Sequence, residues 1–301
     1  MAGWLGEAGI PFTVSDDDAV ARGAWGNSRV MVLCSSPEPG LRELLAIRRF
    51  LGDGGKAIVF YSASPRLAGL LGMTLGNYAT ATQPGQWSAF GFIQGAPAGV
   101  PGRIVQDSRN IRPAFPAGPS ARVIAWWEDA SGRRLRDPAW VQSDRGFWMS
   151  HILLEGDVPA KKQMLVALLG ACDPALWQVA AAHAMREAGR PDRLPDNNRV
   201  EALTAQAERL RQELAGNYRQ EQYVRVVQDA ARLDATLTEA YARTQTPRPG
   251  EFRAVWNHNG TGLYPGDWDA TCRTLAQGGL TAVFPNVVRA GTPIIPRIPP
   301  V

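Results

Sequence analysis

The stretch Arg29–Tyr61, RVMVLCSSPEPGLRELLAIRRFLGDGGKAIVFY, decides the fold. It opens on the apolar run Arg29–Cys34 and closes on Lys56–Tyr61. Continuous apolar runs of this length, bounded by turn residues, read as strands covered on both faces. Between them Leu41, Leu44, Leu45, Ile47 and Leu51 follow helical spacing, and Asp53-Gly54-Gly55 ends the helix. Toward the C-terminus, Ser64-Pro65 starts a short helix that Gly72 stops. Toward the N-terminus, Asp16–Asp18 starts another, Pro11–Val14 reads as a short strand, and Met1–Gly9 reads as the end of a helix. Strands and helices that alternate through short connections predict a parallel, doubly wound sheet. Such a domain usually opens with a central strand; here the chain begins in a helix, so Met1 reads as an internal start.

Residues 87–155 change character. Trp87–Gln94, Arg103–Gln106, Arg122–Trp127, Trp140–Gln142 and Gly146–Leu154 read as strands between Gly- and Pro-rich turns. Ala160–Leu169 is a helix, Asp173-Pro174 breaks it, and Pro174–Glu187 is the next. Asp192–Asn198 reads as a polar linker. Val200–Thr244 is a long helical tract with Gly216 as its break, read as a connector or helical hairpin; a dimerising coiled coil is the alternative, weakened because no heptad is sustained. Pro247–Gly250 reads as a linker. Phe252–Trp256, Asp267–Ala276 and Leu280–Phe284 then form strand, helix and strand, one βαβ unit with Asp267 as N-cap. The tail TPIIPRIPPV is too proline-rich for a regular helix or a central strand. The expected domains are therefore 1–172 (α/β, lacking its first strand), 173–246 (helical connector) and 247–301 (a second, truncated domain).

Composition excludes some functions. The 301 residues hold 45% apolar side chains, enough for sizeable cores. No apolar run approaches the ~18–20 residues of a membrane span, and MAGWLGEAGIPF has no basic start of signal-peptide type. Net charge is +4, with only three lysines, Lys56, Lys161 and Lys162. The arginines are interleaved with acids rather than clustered, so nucleic acid is not an expected partner. Cys34, Cys172 and Cys272 form no CxxC pair and no metal spacing, and read as buried, unreactive thiols; no metal or cofactor is expected.

Two places could carry chemistry. Ser62-Ala63-Ser64 follows a strand at a strand-to-helix turn, where hydrolases of this architecture hold a nucleophile. G-x-S-x-G is absent, and Ser64-Pro65 is an ordinary cap pair. His151 and Asp157 are conceivable partners, but His151, set among apolar residues, reads as a satisfied structural histidine. Gly52-Asp53-Gly54-Gly55 precedes a strand and is a turn, not a phosphate cradle. The second place is Trp256-Asn257-His258-Asn259-Gly260, at the C-terminal end of one strand, with Phe284-Pro285-Asn286 at the end of the next. In a (β/α)8 barrel these ends form the active face. Trp256, His258 and Asn286 suit sugar binding, the indole covering an apolar sugar face while imidazole and amide bond hydroxyls; the alternative is a strand-end tryptophan in a core. Glycoside hydrolysis needs a carboxylate pair, and neither strand end carries one, so no catalytic residue is assigned. Asp267 and Asp269 belong to the helix start.

The stretch FRAVWNHNGTGLYPGDWDATCRTLAQGGLTAVFPNV resembles the barrel start of the glycoside-hydrolase-like 10 family, through Arg253, Ala254, Val255, Trp256, His258, Asp267, Trp268, Asp269, Gly279, Thr281, Phe284, Pro285 and Asn286. LRELLAIRRFLGDGGKAIVFYSASPRLAGLLG and GFWMSHILLEGDVPAKKQMLVALLG are similar to the glutamine-amidotransferase-like domain that precedes the barrel in some members. The resemblance implies a flavodoxin/amidotransferase-like α/β domain, a helical linker and the start of an incomplete (β/α)8 barrel. It also implies an oligo- or polysaccharide substrate and hydrolysis of O-glycosidic bonds by a longer protein, with homo-oligomerisation left open. Where true amidotransferases place a cysteine, this chain has Ser62-Ala63-Ser64, so that activity is not implied. The family's acid and base carboxylates lie on later barrel strands. The alternative is a non-catalytic scaffold that binds a carbohydrate or a partner.

Overall fold

In the computed structural model, residues 1–35, 37–154, 156–193, 200–245, 250–258, 260, 262–264, 267–286, 288–289 and 292–293 are described. Two compact units emerge, Met1–Leu194 with Glu201–Glu239, and Pro195–Val200 with Ala240–Val301.

The first unit opens with α1 (Ala2–Glu7) and α2 (Asp17–Arg22), whose N-cap Asp16 accepts the Ala19 N–H at 2.7 Å. β1 (Val30–Leu33), α3 (Leu41–Gly52), β2 (Lys56–Phe60) and α4 (Pro65–Leu70) follow. Next come β3 (Met73–Leu75), β4 (Ala79–Thr80), β5 (Trp87–Phe92), β6 (Arg103–Ser108), β7 (Asn110–Ile111) and β8 (Ala114–Pro116). β9 (Arg122–Glu128), β10 (Arg134–Ser143), β11 (Gly146–Met149), α5 (Val158–Cys172) and α6 (Ala175–Glu187) complete the α/β part. Its main sheet has seven strands in the order β1-β2-β11-β10-β9-β5-β6. β1 and β2 lie parallel, Val30 opposite Lys56 and Leu33 opposite Val59, as the apolar runs predict; β11 joins β2 in parallel. The other pairings are antiparallel. The sheet is therefore mixed, not the all-parallel sheet expected from the opening series.

Side-chain alternation along β2 splits the core between two faces. Ile58 and Phe60 join Leu5 of α1 and Met164–Leu169 of α5 on one side. Ala57 and Val59 join Leu44, Ile47 and Phe50 of α3 with Leu67 and Ala68 of α4 on the other. Trp87, Trp127, Trp140 and Trp148 are almost wholly buried. Two anchor their indole N–H groups, Trp87 on Asp137 at 3.0 Å and Trp127 on Ser150 at 2.8 Å.

Some elements depart from expectation. Pro11–Val14 is exposed and forms no strand. β1 is only partly covered, because it is a sheet edge. β10 begins at Arg134 rather than the expected Trp140, its register shifting around Pro138, where a bulge spares the proline a ladder bond. β11 stops at Met149 rather than Leu154. Cys34 and Cys272 are exposed, not buried. Cys172 is largely enclosed, and burial pushes its thiol up to about 12.

The helical tract is two helices, α7 (Glu201–Arg219) and α8 (Tyr223–Thr244). Gly216 lies inside α7; the break falls at Gln220–Gln222, where Glu221 takes a φ of 57°. Leu214 and Val226 pack with Ala181 of α6, and Ala207 and Leu210 pack with Leu233. The pair is a helical hairpin against α6, and Asn217 donates to Asp229 across it at 2.7 Å. The expected linkers 192–198 and 247–250, and the tail beyond residue 293, lie almost wholly outside the described residues.

In the second unit, β12 (Ala254–Asn257), α9 (Trp268–Gln277) and β13 (Ala282–Pro285) form one βαβ, the strands parallel with Ala254 opposite Ala282. Asp267 caps α9, accepting the Ala270 N–H at 2.8 Å. β14 (Val288–Arg289) and β15 (Thr292–Pro293) pair antiparallel.

Candidate functional site

The register of β12 and β13 sets Trp256 beside Phe284, with ring centroids 6.4 Å apart and planes 29° from parallel. Phe252 adds a third ring, edge-on to Phe284 at 6.3 Å. Among the described residues Trp256 is 67% exposed and Phe284 48%. His258 and Asn286 stand two residues beyond Trp256 and Phe284 at the C-terminal end of the pair. The Asn286 N–H donates to the Asn257 carbonyl at 2.9 Å and fastens the two strand ends together. Asn257 also accepts the Gly262 N–H through its side chain at 3.3 Å. All three sugar-binding candidates thus gather at one strand end. The sequence marks Phe284 at the second strand end, but not Phe252 as its neighbour; the spacing of Phe252 four residues before Trp256, on the same face of the expected strand, is the available signal.

The turn after β2 is differently built. Ser62 and Ser64 are buried. The Ser62 hydroxyl donates to the Pro37 carbonyl at 3.3 Å and accepts the Ser64 N–H at 3.1 Å. Ser64 caps α4 by accepting the Leu67 N–H at 3.2 Å. Tyr61, just before them, holds a φ of 84°, which no sequence signal marked.

His151 lies just past β11 and is buried. Its Nδ1 is 2.9 Å from the Ile152 carbonyl, which can only accept, so Nδ1 carries the hydrogen. Nε2 lies 3.1 Å from the Asn110 amide oxygen Oδ1. Burial lowers the His151 pKa, opposed by the Ile152 carbonyl. Gln106 completes the cluster, donating to the Ile152 carbonyl at 2.9 Å and accepting the Leu154 N–H at 3.1 Å. Asp157 is occupied elsewhere, accepting the Val105 N–H at 2.8 Å. No hydrogen bond links Ser62 or Ser64 to His151 or Asp157 among the described residues, so no hydrolytic triad is assembled. Lys161 is fully buried, donating to the Leu154 carbonyl at 2.8 Å, and desolvation lowers its pKa. No three His, Cys, Asp or Glu side chains among the described residues converge as a metal site. No described helix is long and apolar enough to cross a membrane.

No family model matches this chain, and no curated protein matches it. Among solved structures it is similar to α-L-fucosidase isoenzyme 2 from Paenibacillus thiaminolyticus, at 17% identity and TM-score 0.40, over 56% of this chain. The chain spans only 28% of that fucosidase. A ThuA-like protein from Bacteroides uniformis is similar at 13% identity and TM-score 0.43, over 57% of this chain and 82% of that one. A GMP synthase component from Thermoplasma acidophilum is similar at 11% identity and TM-score 0.41, over 57% of this chain and 86% of that one. The glycoside-hydrolase-like 10 resemblance therefore rests on the residues that carry it.

Proposed function

We propose that this chain belongs to a carbohydrate-active protein, and that Trp256, His258 and Asn286 bind an oligo- or polysaccharide. In this reading residues 1–172 are a non-catalytic amidotransferase-like scaffold, 173–246 connect it, and 247–301 contribute the first βαβ of a (β/α)8 barrel. Hydrolysis of O-glycosidic bonds would belong to a longer protein whose further strands supply the carboxylate pair. The observation that carries the reading is the exposed Trp256 indole beside Phe284 at the C-terminal end of two parallel strands. An aromatic platform edged by an imidazole and an amide is the chemistry a sugar ring needs, an apolar face for the indole and partners for the hydroxyls.

A second reading, a binding scaffold with no hydrolysis, draws support from two observations. Neither β12 nor β13 ends in a carboxylate, and the serines after β2 are committed to local bonds. One experiment tests the shared element. Oligosaccharide binding to the chain, measured calorimetrically, should weaken by ~1–3 kcal/mol in Trp256→Ala, the scale of a lost aromatic contact and its buried area. Unchanged affinity would return Trp256 to a structural role.

A further inference from the structure

A cleft of about 360 Å³ opens in the first unit, between the loop preceding β1 and the turn joining α3 to β2. Trp25, Gly26, Asn27, Ser28 and Arg29 line one side; Phe50 and Asp53-Gly54-Gly55 line the other. Its volume falls in the range of small-molecule sites, about 300–1,000 Å³. The indole of Trp25 is held in place. Phe50 meets it edge-on at 5.4 Å, and the Arg49 guanidinium lies over it at 5.2 Å. Gly23, at a φ of 81°, leaves room for that guanidinium, since a Cβ there would come within 2.4 Å of it.

Around this fixed aromatic wall stand side chains with nothing to bond. Asn27, Ser28, Arg29 and Asp53 are exposed, and among the described residues their side chains make no hydrogen bond or ion pair. Together they offer an amide, a hydroxyl, a guanidinium and a carboxylate, a balanced set of donors and acceptors. The backbone is less available. Gly54, Gly55 and Lys56 N–H groups are spent on the carbonyls of Leu51, Phe50 and Arg29. On this wall a phosphate would find no free amides, and it would meet the Asp53 carboxylate.

We propose that this cleft is a binding site for a neutral saccharide, with one pyranose ring against Trp25 and its hydroxyls on Asn27, Ser28, Arg29 and Asp53. A nucleotide would also use the indole, but the committed amides of the α3–β2 turn and the Asp53 carboxylate disfavour its phosphate. The site is independent of the reading of Trp256, His258 and Asn286.

The test uses the full chain carrying Trp256→Ala, so that strand-end binding does not contribute. The probes are neutral methyl α- and β-glycosides of glucose, galactose, mannose and xylose, with AMP alongside, observed by saturation-transfer NMR and titrated. At least one glycoside should receive saturation on its ring protons. Adding Trp25→Ala should weaken its binding about tenfold or more, and Asn27→Ala by about three- to tenfold, as expected for a lost stacking contact and a lost hydrogen bond. Trp25→Phe should retain much of the affinity. Asn27→Ala removes an exposed, unbonded side chain and keeps the test valid if Trp25→Ala fails to fold. Silence across the glycosides, binding indifferent to both Trp25→Ala and Asn27→Ala, or AMP binding in their place would each overturn the proposal.

Discussion

Single residues in this chain are constrained in opposite directions. Gly146 begins β11 with a φ of 136°, and a Cβ there would lie 1.8 Å from the Ala57 carbonyl oxygen on β2. No flexible side chain can move aside to make room, because the obstacle is backbone. Gly146→Ala should therefore lose about 3 kcal/mol or more of stability in urea denaturation, or fail to fold. Gly216 sits inside α7 with open space where a Cβ would go, so Gly216→Ala should gain about 0.5–1 kcal/mol. An opposite result at either position would mean the backbone there is not as described. Sequence alone marked Gly216 as a break and passed over Gly146. Gly is a poor helix former, but the α7–α8 packing outweighs it; a close approach between strands distant in sequence leaves no local trace. His151, by contrast, was legible as a structural residue, because a lone histidine among apolar neighbours must find internal partners.

At the scale of elements, the β9–β10 hairpin has an ionic clasp. Asp129 accepts from the Ser131 hydroxyl at 2.6 Å, the Ser131 and Arg133 N–H groups at 3.0 Å each, and the Arg133 guanidinium at 3.0 Å. The Ser131 hydroxyl first, then Arg133, hold its pKa down to about 2. An unfolded aspartate titrates near about 3.9. Its stabilisation is thus fully present above about pH 4 and is lost as pH falls through 2. Asp129→Asn should be less stable than the parent at pH 7, and the gap should close on acidification toward pH 2. A gap that stays constant with pH would show that the charge plays no part. The strands of this hairpin were half-readable from sequence. β9 was read almost to its end, whereas Pro138 concealed the first part of β10, since a proline argues against a central strand until a bulge accommodates it.

For the whole molecule, the two units differ in what covers their sheets. The first has helices packed on both faces of seven strands. The second holds two-stranded sheets and leaves Phe252, Trp256 and Phe284 exposed. Isolated two-stranded pairs are marginal in water. Amide hydrogens of β12 and β13 should therefore exchange with solvent much faster than those of β2 and β11. Equal protection would refute that ranking. The strand–helix–strand starts of both units were legible because their apolar runs are continuous and their helices carry ordinary caps. The antiparallel half of the sheet hid the overall architecture, and the Trp25 cleft was invisible because its walls come from loops at opposite ends of the β1–α3 segment. The depth of the tryptophans gives the molecule an optical layering. Trp87, Trp127, Trp140 and Trp148 lie at 1% exposure or less, whereas Trp256 stands 67% open. Iodide should extinguish a red-shifted share of the fluorescence from the ten indoles, to which the half-buried Trp4, Trp25, Trp126 and Trp268 also contribute, and Trp256→Ala should reduce that share while the shielded blue emission persists. The chain thus reports on its exposed aromatic face by its own light, with no label attached.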